Sequence, residues 1–375
     1  MTDEISAELS WPQVHAFRLQ RHHLDERAPR KDLAKVVGEI GGAQAQVMSA
    51  AELQIAVRAE CTVADVREAL WKDRTLVKTW LMRGTLHLTR AADLPLCTGA
   101  LGKHWISVRP SWLKFWNISE LELWKLVDDI GGALGGDPMT REQVIAAVAD
   151  GRPERMREAL KSGWGGMLKP AARNGRLCFG PSRGQNVTFV DPREWLDSWH
   201  DVDPDVAIVE MARRYLRVYG PSTKSDFARW WGPWPGVGNA AWAGIAPELV
   251  KVSVEGTKLD ALRSDIATMK KAKIAQPVQL VPLFDPYLMG YARRDHMLER
   301  AHASKVSRTA GWISAVLLVE GRIAGTWTHT LAGTRLRVAI SPFSRLPAKV
   351  LGEARERATE IGKALGATKI EVAVG

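Results

Sequence analysis

Apolar residues recur at helical spacing through residues 11–24, where Val14, Phe17 and Leu24 form one stripe, and over shorter spans at 32–40 and 63–71. Between the last two, Ser49 precedes Glu52 by three positions just ahead of Leu53, Ile55, Ala56 and Val57. That is the form of a capping box opening another helix. The period then drops to two. In residues 80–89, Met82, Leu86 and Leu88 fall on one face and Arg83, Thr85 and His87 on the other, which predicts a strand with one apolar and one polar side. Helices closed by such a β segment have the element order of a winged helix.

The order repeats twice. Helices at 142–148, 155–160 and 163–173 lead to strands at 176–179 and 187–190, which flank Gly180-Pro181-Ser182-Arg183-Gly184. Arg183 lies at the tip of this turn with Arg173 and Arg176 near its base; phosphate contact and a merely solvated turn are both open. Next, residues 206–219 carry a basic helix face of Arg213, Arg214 and Arg217. Gly220-Pro221-Ser222-Thr223 breaks the chain and caps a helix over 224–231 that starts with Lys224, and strands at 249–254 and 258–262 surround Glu255-Gly256. Three helix-then-hairpin units read as tandem copies of one module. From Gln279 the character changes: segments at 311–319, 322–329 and 335–340 form a meander with turns at Glu320-Gly321 and Ala332-Gly333, followed by an amphipathic helix at 347–365 and a strand at 370–374. The expected fold class is α+β, with tandem winged-helix modules at 1–110, 111–200 and 201–275 and a β-rich region at 276–375.

Charge narrows the partner. The 375 residues carry 52 Lys and Arg against 42 Asp and Glu, a net +10, and the isoelectric point near 9.6 points to a polyanion such as nucleic acid. No apolar run approaches the length of a membrane span and Met1-Thr2-Asp3-Glu4 lacks the features of a signal peptide, so a cytoplasmic, DNA-associated chain is expected, without a membrane partner. Cys61, Cys97 and Cys178 are too few and too far apart for a disulfide framework or a zinc site, and the nine histidines form no ligand-spaced cluster; no metal or other cofactor is expected. His22-His23, at the end of the first helix, reads as solvated. The 16 tryptophans fall mostly in amphipathic helices, where packing explains them.

Chemistry concentrates in Gly41-Gly42-Ala43-Gln44-Ala45-Gln46. If the capped helix begins at Ser49, both glutamines lie on the backbone before it. On extended backbone, residues two apart point the same way, so the two amides share one small volume. Each amide offers two donors and a two-lone-pair acceptor, and the pair can hold one water in a chosen orientation without charge. The same residues would also serve to satisfy buried backbone beside a glycine turn. A second candidate is Asp285, in Leu283-Phe284-Asp285-Pro286-Tyr287, an apolar run ending in a carboxylate next to proline. It either orients the glutamine pair or a base, or caps a turn.

Four ordered blocks carry a family resemblance over nearly the whole chain: Gly42-Ala43-Gln44-Ala45-Gln46, Arg83-Gly84-Thr85-Leu86-His87-Leu88, Phe284-Asp285-Pro286-Tyr287-Leu288-Met289-Gly290-Tyr291 and Gly321-Arg322-Ile323-Ala324-Gly325-Thr326-Trp327. The chain resembles the winged-helix DNA glycosylases typified by AlkZ and YcaQ. The resemblance implies tandem winged helices arranged as a C around DNA, and excision of N7-alkylated purines, crosslinked ones included. The family's motif is glutamine, any residue, then glutamine or aspartate. Gln44 and Gln46 match the two-glutamine form of the AlkZ-like branch, which is associated with self-resistance in producers of DNA-alkylating antibiotics, and depart from the aspartate of the YcaQ-like branch.

This chemistry suits a site without a carboxylate. Glycosidic cleavage builds oxocarbenium character on the sugar and negative charge on the departing base. A purine alkylated at N7 is already cationic and leaves neutral, so it demands little acid. What remains is water positioning, worth up to about 7–11 kcal/mol. A base tethered to the opposite strand cannot swing freely into a closed pocket. An open basic cleft is therefore expected, in which Arg83, Thr85 and His87 are candidates alongside the arginines above and Lys224; a histidine such as His87 is, taken alone, more often a hydrogen-bonded structural residue. The chain is expected to work as a monomer on double-stranded DNA. A winged-helix transcription regulator is the competing reading, weakened because no dimerisation helix or ligand domain is evident.

Overall fold

Ser10 and Gln13, rather than Ser49 and Glu52, close the first capping box of the chain, in a computed structural model that describes residues 4–105, 110–163, 165–232 and 236–375. The secondary structure is mixed α and β. Backbone contacts divide it into two units: Met1–Glu68 with Ala212–Gly375, and Ala69–Met211. The first unit therefore draws on both ends of the chain, whereas the modules read from the sequence are consecutive.

In the first unit, strand Ile5–Leu9 pairs in parallel with Leu249–Val254, which pairs antiparallel with Thr257–Leu262 through a turn with Glu255 and Gly256 at positive φ. Helix Trp11–Arg21 lays Val14 and Phe17 onto this sheet, where they meet Leu9, Val252, Val254 and Met269. Burying a side chain as large as Phe17 contributes about 1.5–3 kcal/mol. Helix Lys224–Trp231 starts at Thr223, whose hydroxyl and the Asp226 carboxylate cap each other's backbone, and Val237–Ile245 follows it before the hairpin. The C-terminal sheet has five strands in the order Val278–Val281, Val316–Val319, Arg322–Ala332, Arg335–Pro342, Lys369–Val374. The last pair is parallel, and helix Ala348–Ala364 supplies the crossover that parallel pairing requires. Leu336, Val338 and Ile340 alternate inward, as the period-two pattern predicts. The meander's first strand is shorter than the expected 311–319, because Thr309–Gly311 is a 3-10 turn with Ala310 in the left-handed region.

The second unit holds helices Arg141–Val148, Glu154–Lys161 and Lys169–Arg173 ahead of hairpin Cys178–Arg183 and Asn186–Val190, with Met139–Thr140 as a third strand. The third helix is shorter than the expected 163–173: Gly165 turns the chain at positive φ, and Trp164 lies outside the described residues. Sequence patterning leaves residues 111–138 unassigned, and helix Glu120–Ala133 there packs Leu126 and Ile130 against Leu160, Leu168 and Phe189. The strand expected at 80–89 is instead a hairpin, Leu76–Trp80 against Leu86–Arg90, reversing through Met82–Gly84. Arg83 and Gly84 take positive φ at that reversal.

Candidate active site

Gly41 and Gly42, both at positive φ, turn the chain into the two-residue strand Ala43–Gln44. The two amides meet across the bend that follows this strand: Gln44 Nε2 donates to Gln46 Oε1 at 2.6 Å. Gln44 is buried and Gln46 is exposed, so the pair is anchored at one end and open to solvent at the other. Helix Met48–Ala56 then begins after Val47 with no side-chain cap. The expected Ser49–Glu52 capping box does not form, because the buried Glu52 carboxylate receives Arg67 Nε and Nη2 at 2.7 and 2.9 Å. Ion pairing outcompetes the cap, and the helix starts one residue before Ser49.

Behind the glutamine strand lies a chain of buried polar groups. Gln54 Nε2 donates to the Leu283 carbonyl at 2.7 Å and to the Gln44 carbonyl at 3.4 Å. Arg58 Nη1 donates to the Gln54 carbonyl at 2.8 Å and to Asp285 Oδ2 at 2.8 Å, while Nη2 reaches Asp285 Oδ1 at 2.6 Å. Phe284, in the left-handed region, turns the end of the preceding strand so that Asp285 caps helix Pro286–Met289 by accepting from the Tyr287 N–H at 2.9 Å. Asp285 thus does cap a turn. It is also wholly buried against Arg58, with no side-chain surface open to solvent. His22, expected in solvent, is fully buried edge-on to Tyr219 and Tyr287, and burial pushes its pKa well down.

The description "DNA glycosylase AlkZ-like" fits residues 37–368 of this sequence. The chain belongs to the AlkZ-like DNA glycosylase family. Its similarity to an interstrand DNA cross-link repair glycosylase of Streptomyces sahachiroi is 34% identity, over 97% of this chain and 99% of that one. The solved structure of Streptomyces sahachiroi DNA glycosylase AlkZ superposes with a TM-score of 0.87 at 33% identity, covering 98% of this chain and all of that one. Membership in the AlkZ-like family makes the protein a DNA repair enzyme and sets aside the regulator reading.

The other candidates of this AlkZ-like chain separate by environment. Arg183 is exposed at the end of its hairpin strand, within 3.5 Å of Gln143 Oε1, and Arg217 and Lys224 are exposed as well. Arg213 is half-buried and forked onto Glu248, and Arg214 is half-buried beside it in sequence. Arg176 pairs with Asp191 at 3.4 Å. Arg173, expected near the hairpin base among phosphate contacts, is buried, and its guanidinium crowds Gly84; burial lowers its pKa to about 9. Arg83 and Thr85 are half-buried at the reversal of their hairpin. His87, expected on a polar strand face, is buried: Nδ1 donates to the Thr85 carbonyl at 2.9 Å and Nε2 lies 3.3 Å from Arg83 Nη2. Burial, then the Arg83 charge, lowers its pKa to about 3. Among the described residues no His, Cys, Asp or Glu group is arranged to hold a metal ion, and no helix is long and apolar enough to cross a membrane. Gln54 and Arg58 are the residues that sequence reasoning misses; their i, i+4 spacing just after the glutamine motif is the available signal.

Proposed function

We propose that this chain, as a monomer, hydrolyses the N-glycosidic bond of N7-alkylated purines in double-stranded DNA, including bulky adducts and interstrand crosslinks. Water is positioned by Gln44 and Gln46. The observation that carries the reading is the direct amide contact, 2.6 Å, with Gln46 facing solvent. An amide oxygen has two lone pairs. One on Gln46 Oε1 takes the Gln44 N–H; the other accepts an O–H of the attacking water and leaves that water's own lone pair aimed at the sugar. As the water oxygen bonds to C1′, the C1′–N9 bond breaks, its electron pair neutralises the cationic base, and the surplus proton passes to solvent. Uncharged amides activate water weakly, so unmodified purines, which leave as anions, are spared.

Tandem winged-helix modules lining an open, C-shaped cleft are the architecture this reading requires. The helix-then-hairpin order within residues 141–190 and 204–262 supports it, as does the basic excess of +10. Affinity then comes mainly from phosphate contacts. The name of the Streptomyces sahachiroi relative supports interstrand crosslinks as substrates, and self-resistance to a DNA-alkylating natural product is the setting proposed for this chain. The deciding measurement is release of 7-methylguanine from methylated DNA by the Gln44→Ala, Gln46→Ala double variant. Loss of rate on the order of 10²-fold, with DNA binding retained, is expected; unchanged release rejects the assignment.

A further inference from the structure

The Gln44 main-chain carbonyl accepts from the Gln54 side chain, and the main chain that carries Gln54 is in turn bound by Arg58. We infer that Gln54, Arg58 and Asp285 form a buried positioning relay that sets the aim of the glutamine pair for water delivery; this rests on the glutamine reading above. The geometry is continuous. Asp285 fixes Arg58 through two oxygens at 2.8 and 2.6 Å, Arg58 fixes the main-chain carbonyl of Gln54 at 2.8 Å, and the Gln54 side-chain amide donates to the main-chain carbonyls of Leu283 at 2.7 Å and Gln44 at 3.4 Å.

Neither partner of the ion pair has any exposed side-chain surface, and Gln54 is fully buried, so none of the three touches DNA. Their siting follows from chain geometry. A strand of only two residues, entered through two positive-φ glycines, has few backbone bonds of its own to define its height and tilt. Gln54 ties it to the Leu283 carbonyl, and the charge pair fixes the helix backbone from which the Gln54 side chain extends. Arg58 is suited to the task because its planar fork meets a carboxylate in only one geometry, which a lysine does not reproduce. A buried ion pair is weak evidence for stability, and fixing one conformation is a role that such pairs have in some proteins and that the proposal assigns to this one.

Two variants test this without leaving an orphaned charge. Gln54→Met deletes the amide donor at nearly constant volume. The combined Arg58→Met, Asp285→Asn change removes both charges while Asn keeps an acceptor for the Tyr287 N–H. Both are assayed by single-turnover release of 7-methylguanine beside wild type and the Gln44→Ala, Gln46→Ala variant, together with DNA affinity and thermal midpoint. The expected result is a rate roughly ten- to a hundred-fold lower in each, with DNA affinity within about two-fold and cooperative unfolding retained. A wild-type rate in both, while the glutamine variant is inactive, overturns the relay and leaves the glutamine reading standing. Losses of rate and affinity in parallel also overturn it, since they report a general structural role. Activity surviving in the glutamine variant overturns both.

Discussion

Arg58 grips both carboxylate oxygens of Asp285, at 2.8 and 2.6 Å, across 227 residues of chain, and neither side chain is exposed. Removing one partner strands the other charge in the interior. Arg58→Met alone or Asp285→Asn alone is therefore expected to cost about 3–5 kcal/mol, and the two together much less. Urea denaturation of the two single variants and the double checks this, and additive losses would contradict it.

Acid should destabilise the protein from mild pH downward. Burial lowers the pKa of His15 and His87 from 6.5 to about 3 and that of His296 to about 2, with the Arg18 charge adding to the effect at His15 and His296 and Arg83 at His87. Below pH 6.5 the unfolded chain takes up protons that the folded chain refuses, so stability is full above that pH and falls as pH drops toward 3. Each group contributes a slope of up to about 1.4 kcal/mol per pH unit. Thermal midpoints recorded between pH 7.5 and 5, at roughly half-unit steps, should decline, and His87→Gln should make the decline shallower.

Arg183, Arg217 and Lys224 present exposed charge. If each neutralises one phosphate, each alanine variant lowers the slope of log K against log salt by about 0.9 while leaving the preference for alkylated over plain DNA intact. Fluorescence anisotropy over a salt series reads both quantities, and an unchanged slope removes that residue from the DNA interface.

Two glycines should respond oppositely to alanine. Gly84 sits at φ +70° where an added Cβ would come within 2.6 Å of Arg173 Nη2. Gly84→Ala is expected to cost about 1–3 kcal/mol. Gly352 lies inside helix Ala348–Ala364 with nothing within 4 Å of its would-be Cβ. Gly352→Ala should stabilise by up to about 1 kcal/mol. Differential scanning calorimetry distinguishes the signs.

Where local rules govern, the sequence reads well. Glu255-Gly256 and Glu320-Gly321 mark hairpins because two-residue turns need positive φ, and both pairs adopt it. Gln44 and Gln46 converge, with Gln44 on a short strand and Gln46 in the bend that follows it. Misreadings arise where a distant partner overrides the local pattern. Met82 and Leu86 are four residues apart and keep the same parity through the Arg83-Gly84 reversal, so a hairpin passes for one continuous strand. Ser49 and Glu52 have the spacing of a cap, but Arg67 takes the carboxylate. Asp285 caps a turn, one of the two roles its sequence context offers, but its pairing with Arg58 is not legible, because no periodicity connects residues so far apart in the chain.

Strand Ile5–Leu9 takes its place only beside Leu249–Val254, and Arg58 finds its counter-ion only at Asp285. During synthesis at about 5–20 residues per second, the ribosome must run for on the order of ten seconds or more after making Arg58 before Asp285 exists. The contiguous segment Ala69–Met211 emerges in that interval with its own core complete. The glutamine motif, translated among the first fifty residues, consequently waits for its contact at Leu283, and Arg58 for Asp285, until more than two hundred further residues have been made.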